Sequence, residues 1–510
     1  MAFFNADWQP STAWLLASAS ALLILAYLIS TVRSWHRLRQ IPGPFLASIS
    51  YLWLARVARS GRQFWTYRAM AERYGPRHLI RVGPNELSTS DPDVIRHMSG
   101  ARSAYARDPW YLAARFDPYH DNVFTLLEAA PHDRFKARIA GAYGGRETPV
   151  LETGIDDQIR ALVNLLARKY AGDVGPGKQR LVEFAELASY FSMDVITRSA
   201  FGEEFGYLKT DSDIYGFLAG VRETWPGLAV ALDLPWMRKV LFSKTYLRYL
   251  GPKTTDTGGL GKLMGVAEEV VTKRFATDAE KQQDMLGSFI SHGLSRQECA
   301  TEALFMIIAG FENTSTVIRT TMLYLMGSPG VYQRFKEVVR ETVRSGNASS
   351  PITYEEAKKI PYLQALIFEG LRMRPPAPGL YPKSVPPEGD MIHGKFIPGG
   401  TAIGMNTAAL VRSTELFGED ADLFRPERFL EADEATRAEM ERNVELVFGY
   451  GRWMCAGKPV AFMELNKVFF ELMRAFDFQL ADPMKPWDCR SFSQFIDENM
   501  WVRVAKSYMA

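Results

Sequence analysis

Between Ser295 and Gly327 the chain runs without a proline, and both ends of the run are marked. Ser295-Arg296-Gln297-Glu298 has the spacing of a capping box. Gly327-Ser328-Pro329-Gly330 stops the helical pattern. The helix this predicts has about 32 residues and is roughly 48 Å long at about 1.5 Å per residue. A rod of that length crosses a whole domain, so the rest of the chain must pack around it. Its centre is Ala309-Gly310-Phe311-Glu312-Asn313-Thr314. Ala309 and Gly310 are small enough for a flat cofactor to lie against the backbone. Glu312 is costly in an apolar helix unless partners or a chemical role offset the burial. The plainer reading of Glu312 is a buried acid that holds a helix kink.

The second constraint is Phe448 to Gly457, FGYGRWMCAG. Gly449 and Gly451 permit backbone geometry that a Cβ resists, so the loop can curl around a sulfur. After Cys455, Val460, Met463, Phe469, Phe470, Leu472 and Met473 fall at helical spacing. Cys455 therefore lies at a helix N-terminus, where the dipole favours a thiolate. A thiolate so placed is a good axial ligand for haem iron. A lone cysteine at a turn also reads as a small buried hydrophobe.

The spacing Phe448-x-x-Gly451-x-x-x-Cys455-x-Gly457 resembles the haem-ligand loop of the cytochrome P-450 family of haem-thiolate monooxygenases. Three further stretches resemble that family in its order, from about residue 40 to the end of the chain. Ala309 to Thr314 resembles its oxygen-activation motif, with Glu312 as the acid. The position after the acid, usually threonine, is Asn313, and Thr314 follows. In the family the acid and the hydroxyl manage proton delivery. Here either Asn313 with an ordered water replaces the hydroxyl, or Thr314 turns inward. Glu369 and Arg372, three apart on one helix face, resemble with Arg428 the family's buried ion network, which is structural. Arg428 belongs to Phe424-Arg425-Pro426-Glu427-Arg428-Phe429. His132 and Lys136 stand where the family usually has the Trp and Arg that reach a haem propionate. Lys383 stands where an arginine is usual. Trp453 occupies another propionate-binding place, so Arg452 and Lys383 are the expected replacements.

The resemblance implies a mainly α fold with small β-sheets, the cytochrome P-450 fold, holding haem b. It implies electrons from an NADPH-dependent cytochrome P-450 reductase, since no nucleotide-binding glycine motif is evident. It implies an apolar small-molecule substrate. The loop looks most like fungal members of specialised metabolism, such as the pisatin-demethylase-like group. Rival readings are a haem-thiolate desaturase, ring-expansion or rearrangement enzyme or isomerase, motivated by Asn313, and a non-catalytic membrane haem protein.

Residues 12 to 32 carry no charge, and about 20 apolar residues span a bilayer. Trp14 and Tyr27 lie near the two ends, as interfacial aromatics do. Arg33, His36, Arg37 and Arg39 follow, so that side is cytoplasmic by the positive-inside rule. The reading is a luminal tail and single anchor over 1–32, and a basic linker with a proline hinge over 33–45. The haem-thiolate domain then covers 46–510, on the cytoplasmic face of the endoplasmic reticulum. A net charge of +2 carries no nucleic-acid signature. Three cysteines make a disulfide framework unexpected.

Within the body, HLIRVGPNELSTSDP alternates and predicts a small sheet. Asp108 to Leu126 reads as an aromatic-rich loop, with Phe124 as a pocket candidate. Val150 to Lys273 reads as mostly helical, broken at Gly251 to Gly261. It carries Trp225, Leu228 and Phe242, which face the core, the substrate or the membrane. The tail SFSQFIDENMWVRVA reads as a closing hairpin, with Phe495 and Ile496 as further pocket candidates.

Overall fold

The structure, a computed structural model, describes residues 12–171, 180–278 and 280–507. It is mainly helical, with small sheets. The long helix spans Arg296–Gly327. Its start is the two-way cap that the sequence predicts. Ser295 Oγ accepts the Glu298 N–H at 3.3 Å, and the Glu298 carboxylate accepts the Ser295 N–H at 2.7 Å.

This central helix packs on the helices Phe184–Phe201, Gly259–Arg274, Pro361–Met373 and Lys458–Ala475, and one apolar cluster joins them all. Phe184–Phe201 is buried on nearly every face, as an interior helix is. A Cβ on Gly310 would lie 2.8 Å from Ile196 Cγ1, so glycine sets how closely these two helices pass. The expectation that Gly310 is small for a cofactor's sake is thereby corrected. The space beyond its missing side chain belongs to Ile196.

A five-stranded sheet has the order Ile80–Arg81, Glu86–Thr89, Ala402–Met405, Lys383–Ser384, Ala106–Arg107. Glu86–Thr89 runs parallel to Ala402–Met405. At the far edge Ala106–Arg107 runs antiparallel to Lys383–Ser384, and Arg107 is paired directly with Lys383. Like charges directly opposite one another destabilise a sheet, so this register asks for a compensating group.

The tail is not one hairpin. Phe495–Glu498 pairs with Asp488–Ser491, whereas Trp501–Lys506 pairs with Phe476–Leu480 and Val182–Glu183. Asn499, with φ 62°, turns the chain between them, and Glu183 accepts the Met500 N–H at 2.6 Å.

At the N-terminus the helix runs Thr12–Arg37, past the uncharged stretch. Arg33, His36 and Arg37 are therefore in its last turns and not in a linker. Trp14–Arg37 is long and apolar enough to cross a membrane, with mean hydropathy 2.2. The proline elbow is docked onto the body. The Arg81 N–H donates to Pro42 O at 2.7 Å, and buried Arg81 Nη2 donates to Ser34 O at 2.8 Å.

Candidate active site

Cys455 closes its loop through its own N–H, which donates to Phe448 O at 2.7 Å. Gly449 and Gly451 have φ of 78° and 57°, the left-handed region that glycine tolerates. Gly451 is also pressed from outside, since a Cβ there would lie 2.3 Å from Ser99 O. Gly457 caps the helix Lys458–Ala475, with Pro459 in its first turn. Burial pushes the Cys455 thiol up. The Gly457 and Lys458 N–H groups and the charges of Lys136 and Lys458 oppose that rise. The residue as a whole nevertheless keeps solvent exposure. The Phe448 ring packs on Phe462, with centroids 5.6 Å apart.

Beside this loop stands Trp453. The Arg107 guanidinium lies 4.7 Å from its ring and Lys383 Nζ 4.9 Å. His132 packs on it at 4.4 Å. Lys383 donates to the Tyr111 hydroxyl at 2.9 Å. Burial, then the Arg107 charge, push its ammonium well below the usual lysine range. Burial also lowers Arg107 to about 10. Neither Arg107 nor Lys383 has an ion-pair partner among the described residues. Arg107 Nε and Trp453 Nε1 are buried without an acceptor. Burial and the Arg107 charge push His132 down to about 4, so it is neutral at physiological pH.

The other two cations of the sequence reading lie elsewhere. Lys136 Nζ donates to Arg452 O at 2.8 Å and to Met454 O, so it staples the cysteine loop. The Arg452 guanidinium turns outward to Ala101 O, with Asp133 at 3.8 Å. Arg107, which the sequence reading did not single out, lies beside Trp453 where Arg452 does not. Its signal was weak: a lone arginine in an aromatic-rich stretch whose partner strand lies far away in sequence.

On the central helix, Phe305, Ile308, Ala309, Glu312 and Asn313 recur at helical spacing and stay partly accessible in mid-domain. Glu312 is engaged by Arg319, two turns on. Arg319 also donates to Asp497 at 2.7 Å, and Arg374 donates to Asp497 at 2.8 Å. Burial would raise Asp497, but Arg374 and Arg319 outweigh it and hold the carboxyl below its usual range. Sequence reasoning missed Arg319 and Asp497, although the seven-residue offset of Arg319 from Glu312 on one helix was a readable signal. Asn313 Nδ2 donates to Ala309 O at 2.8 Å, and its Oδ1 is buried without a donor. Thr314 is buried and off the accessible stripe. Phe495 and Ile496 line a cleft with Trp225, Phe311, Glu312 and Arg319. Leu228 and Phe242 are partly exposed.

Residues 41–500 match the family model described as Cytochrome P450. The chain belongs to the cytochrome P450 family. It is 55% identical over 471 residues to the cytochrome P450 monooxygenase aba1 of Botryotinia fuckeliana, covering 92% of each chain. It is 48% identical over 471 residues to monooxygenase abl1 of Leptosphaeria maculans, covering 91% of this chain and 82% of that one. It is 45% identical over 503 residues to monooxygenase ABA1 of Pyricularia oryzae, covering 97% and 98%. It is a P450 monooxygenase, and the cofactor of such enzymes is haem with an axial thiolate.

The residues present fit that cofactor. Haem b carries two propionate carboxylates, and Arg107 Nε, Trp453 Nε1 and Lys383 are donors or cations that no carboxylate among the described residues meets. The P450 core also contains a closed ion set. Arg372 donates to Glu369 through Nε and Nη2, each at 2.7 Å. Arg428 Nε reaches the same carboxylate at 3.2 Å. The remaining guanidinium donors meet Val411 O, Ala421 O, Phe417 O and Asp420.

Proposed function

We propose that Cys455 is the axial thiolate of this P450, and that Arg107, Lys383 and Trp453 hold the haem propionates. The observation that carries this is the placement of Cys455 at a helix N-terminus, next to the unmatched cations. Bound haem supplies the activation of dioxygen. Everything else falls to the chain. Gly457 and Lys458 N–H groups and Lys136 stabilise the anionic sulfur. Asn313 is oriented by one amide N–H held on Ala309 O, which leaves its Oδ1 to take a hydrogen bond from water or substrate. Glu312 is held by its ion pair with Arg319. The substrate is an apolar small molecule, oxygenated with electrons from an NADPH-dependent reductase. The setting we propose is fungal specialised metabolism, with the body on the cytoplasmic face of the endoplasmic reticulum and Trp14–Arg37 as its anchor.

The test is a carbon monoxide difference spectrum on purified membranes, reduced by NADPH and added reductase. A strongly red-shifted Soret band, lost in Cys455→Ala, is expected. A Cys455→Ala or Cys455→Ser protein that keeps this band overturns the assignment. A second reading, desaturation or rearrangement, or isomerisation of a peroxide, draws on Asn313, which offers no hydroxyl. Product formed from an organic hydroperoxide without reductase or dioxygen would favour the isomerase.

A further inference from the structure

Glu302 lies on the central helix, three residues before Phe305, and is fully buried. A buried carboxyl is expensive unless it is used. Its Oε2 accepts the backbone N–H of Val123 at 2.9 Å. The next residue of that loop, Phe124, stacks on Phe305 with ring centroids 5.3 Å apart and planes at 28°. Loop and helix are therefore registered at two successive points, Val123 on Glu302 and Phe124 on Phe305. The loop is held from its other side by Arg107 Nη1, which donates to Val123 O at 2.6 Å and Phe124 O at 2.8 Å. Asn122 Oδ1 stiffens it from within, accepting the Phe124 and Thr125 N–H groups at 3.0 Å.

Phe305 begins the partly accessible stripe that continues through Ala309 to Asn313. The Phe124–Phe305 pair stands one helical turn from Ala309, about 5–6 Å along the axis. It is the ceiling of the space over that stripe. Its height is fixed by polar groups behind it as well as by its own packing.

We infer that Glu302 is a specificity-determining positioning residue, which sets the Phe124–Phe305 ceiling by holding the Val123 backbone. This rests on the haem-thiolate reading of the preceding subsection, which places the substrate over Ala309. Glu302 touches neither substrate nor cofactor. It acts through Val123 and Phe124.

The test uses the full-length enzyme in membranes and two iron-binding probes, imidazole and 4-phenylimidazole, titrated by their spectral shifts. Imidazole is too small to reach the ceiling, whereas the phenyl group of the larger probe meets it. Glu302→Leu is expected to change the 4-phenylimidazole Kd by up to about tenfold, the loss of one hydrogen bond, with imidazole within about twofold. Glu302→Gln, whose amide oxygen still accepts the Val123 N–H, is expected to stay near the parent. Equal changes for both probes, no change for either, or Glu302→Gln matching Glu302→Leu would overturn the inference. If Glu302→Leu yields no haem protein, Glu302→Asp carries the same test, because it keeps the carboxyl and withdraws it by one methylene. A parent enzyme without the thiolate-type carbon monoxide band overturns the underlying reading, and this inference with it.

Discussion

Arg372 and Arg428 are buried cations, and so are Arg107 and Lys383, yet the two pairs are built in opposite ways. The first pair shares the Glu369 carboxylate, and their other donors end on backbone carbonyls and Asp420. The second pair is set directly opposite in a sheet with no carboxylate between them. A buried cation with a matched anion is a finished structural element, whereas one without is costly. On the function proposed above, the difference separates residues that hold the fold from residues that receive the haem propionates.

The largest effect should come from opening the closed set. Glu369→Ala leaves Arg372 buried without an anion and Arg428 with Asp420 alone, a loss of about 3–5 kcal/mol. We expect little folded haem protein, read as the yield of the carbon monoxide band and as the midpoint of urea unfolding. A variant within about 1 kcal/mol of the parent would break the comparison, since surface substitutions lie in that range.

Substitution in the open set should act on the cofactor and spare the fold. Lys383→Met removes a cation that no carboxylate among the described residues pairs; Arg107 is left in place, because its Nη1 also holds the Val123 and Phe124 carbonyls. Hydrogen bonds to charged groups contribute about 1.5–3 kcal/mol, so haem transfer to excess apomyoglobin should speed up by roughly tenfold or more. The amount of folded protein should hold. If Lys383→Met unfolds as Glu369→Ala does, the two regions are alike after all.

Much of this contrast was legible in the chain, but unevenly. The central helix, its cap and the cysteine loop depend on neighbours within a few residues, and local rules reach them. Glu369 and Arg372 are three apart on one helix and were legible too. Arg107 and Lys383 meet only because two short strands pair across most of the chain, which no local pattern encodes. The tail failed for the same reason: Trp501–Lys506 chose distant strands over the nearby one. Lys136 and Arg452 carry the expected charge, but rotamer and neighbours, not composition, aim them at loop carbonyls and the outside.

A third kind of buried charge sharpens the contrast. Glu464 is buried on the cysteine-loop helix, and Ser192 Oγ donates to it at 2.7 Å. Burial raises its carboxyl to about 8, with Ser192 opposing. Lacking a cation, it keeps its proton instead. The folded-state pKa is above the unfolded value, so its contribution is full below the unfolded pKa and is lost as pH rises toward about 8. The loss is at most about 1.4 kcal/mol per pH unit. Glu464→Gln, which mimics the protonated acid, should match the parent at pH 5 and unfold at higher temperature than the parent at pH 9. Equal melting temperatures at pH 9 would show that Glu464 ionises without cost.

The smallest effect should come from His132, which sits in the open set without being one of its cations. Burial and Arg107 hold its folded-state pKa near 4, below the ordinary value of 6.5. Its neutral ring is thus favoured in the fold. The associated stability is present above pH 6.5 and is lost as pH falls toward 4. His132→Phe keeps a flat ring against Trp453 and removes the titration. At pH 7.5 haem retention and stability should stay within about 1 kcal/mol of the parent, the size of the one hydrogen bond lost, His132 Nδ1 to Asp133 at 3.1 Å. At pH 5 the variant should outlast the parent, because the parent must charge a buried ring beside Arg107 or open to do so. A loss of haem at pH 7.5 comparable to that of Lys383→Met would mean that His132 is charged in the holoenzyme and counts among the cations. The division between matched and unmatched charge would then have to be redrawn to include it.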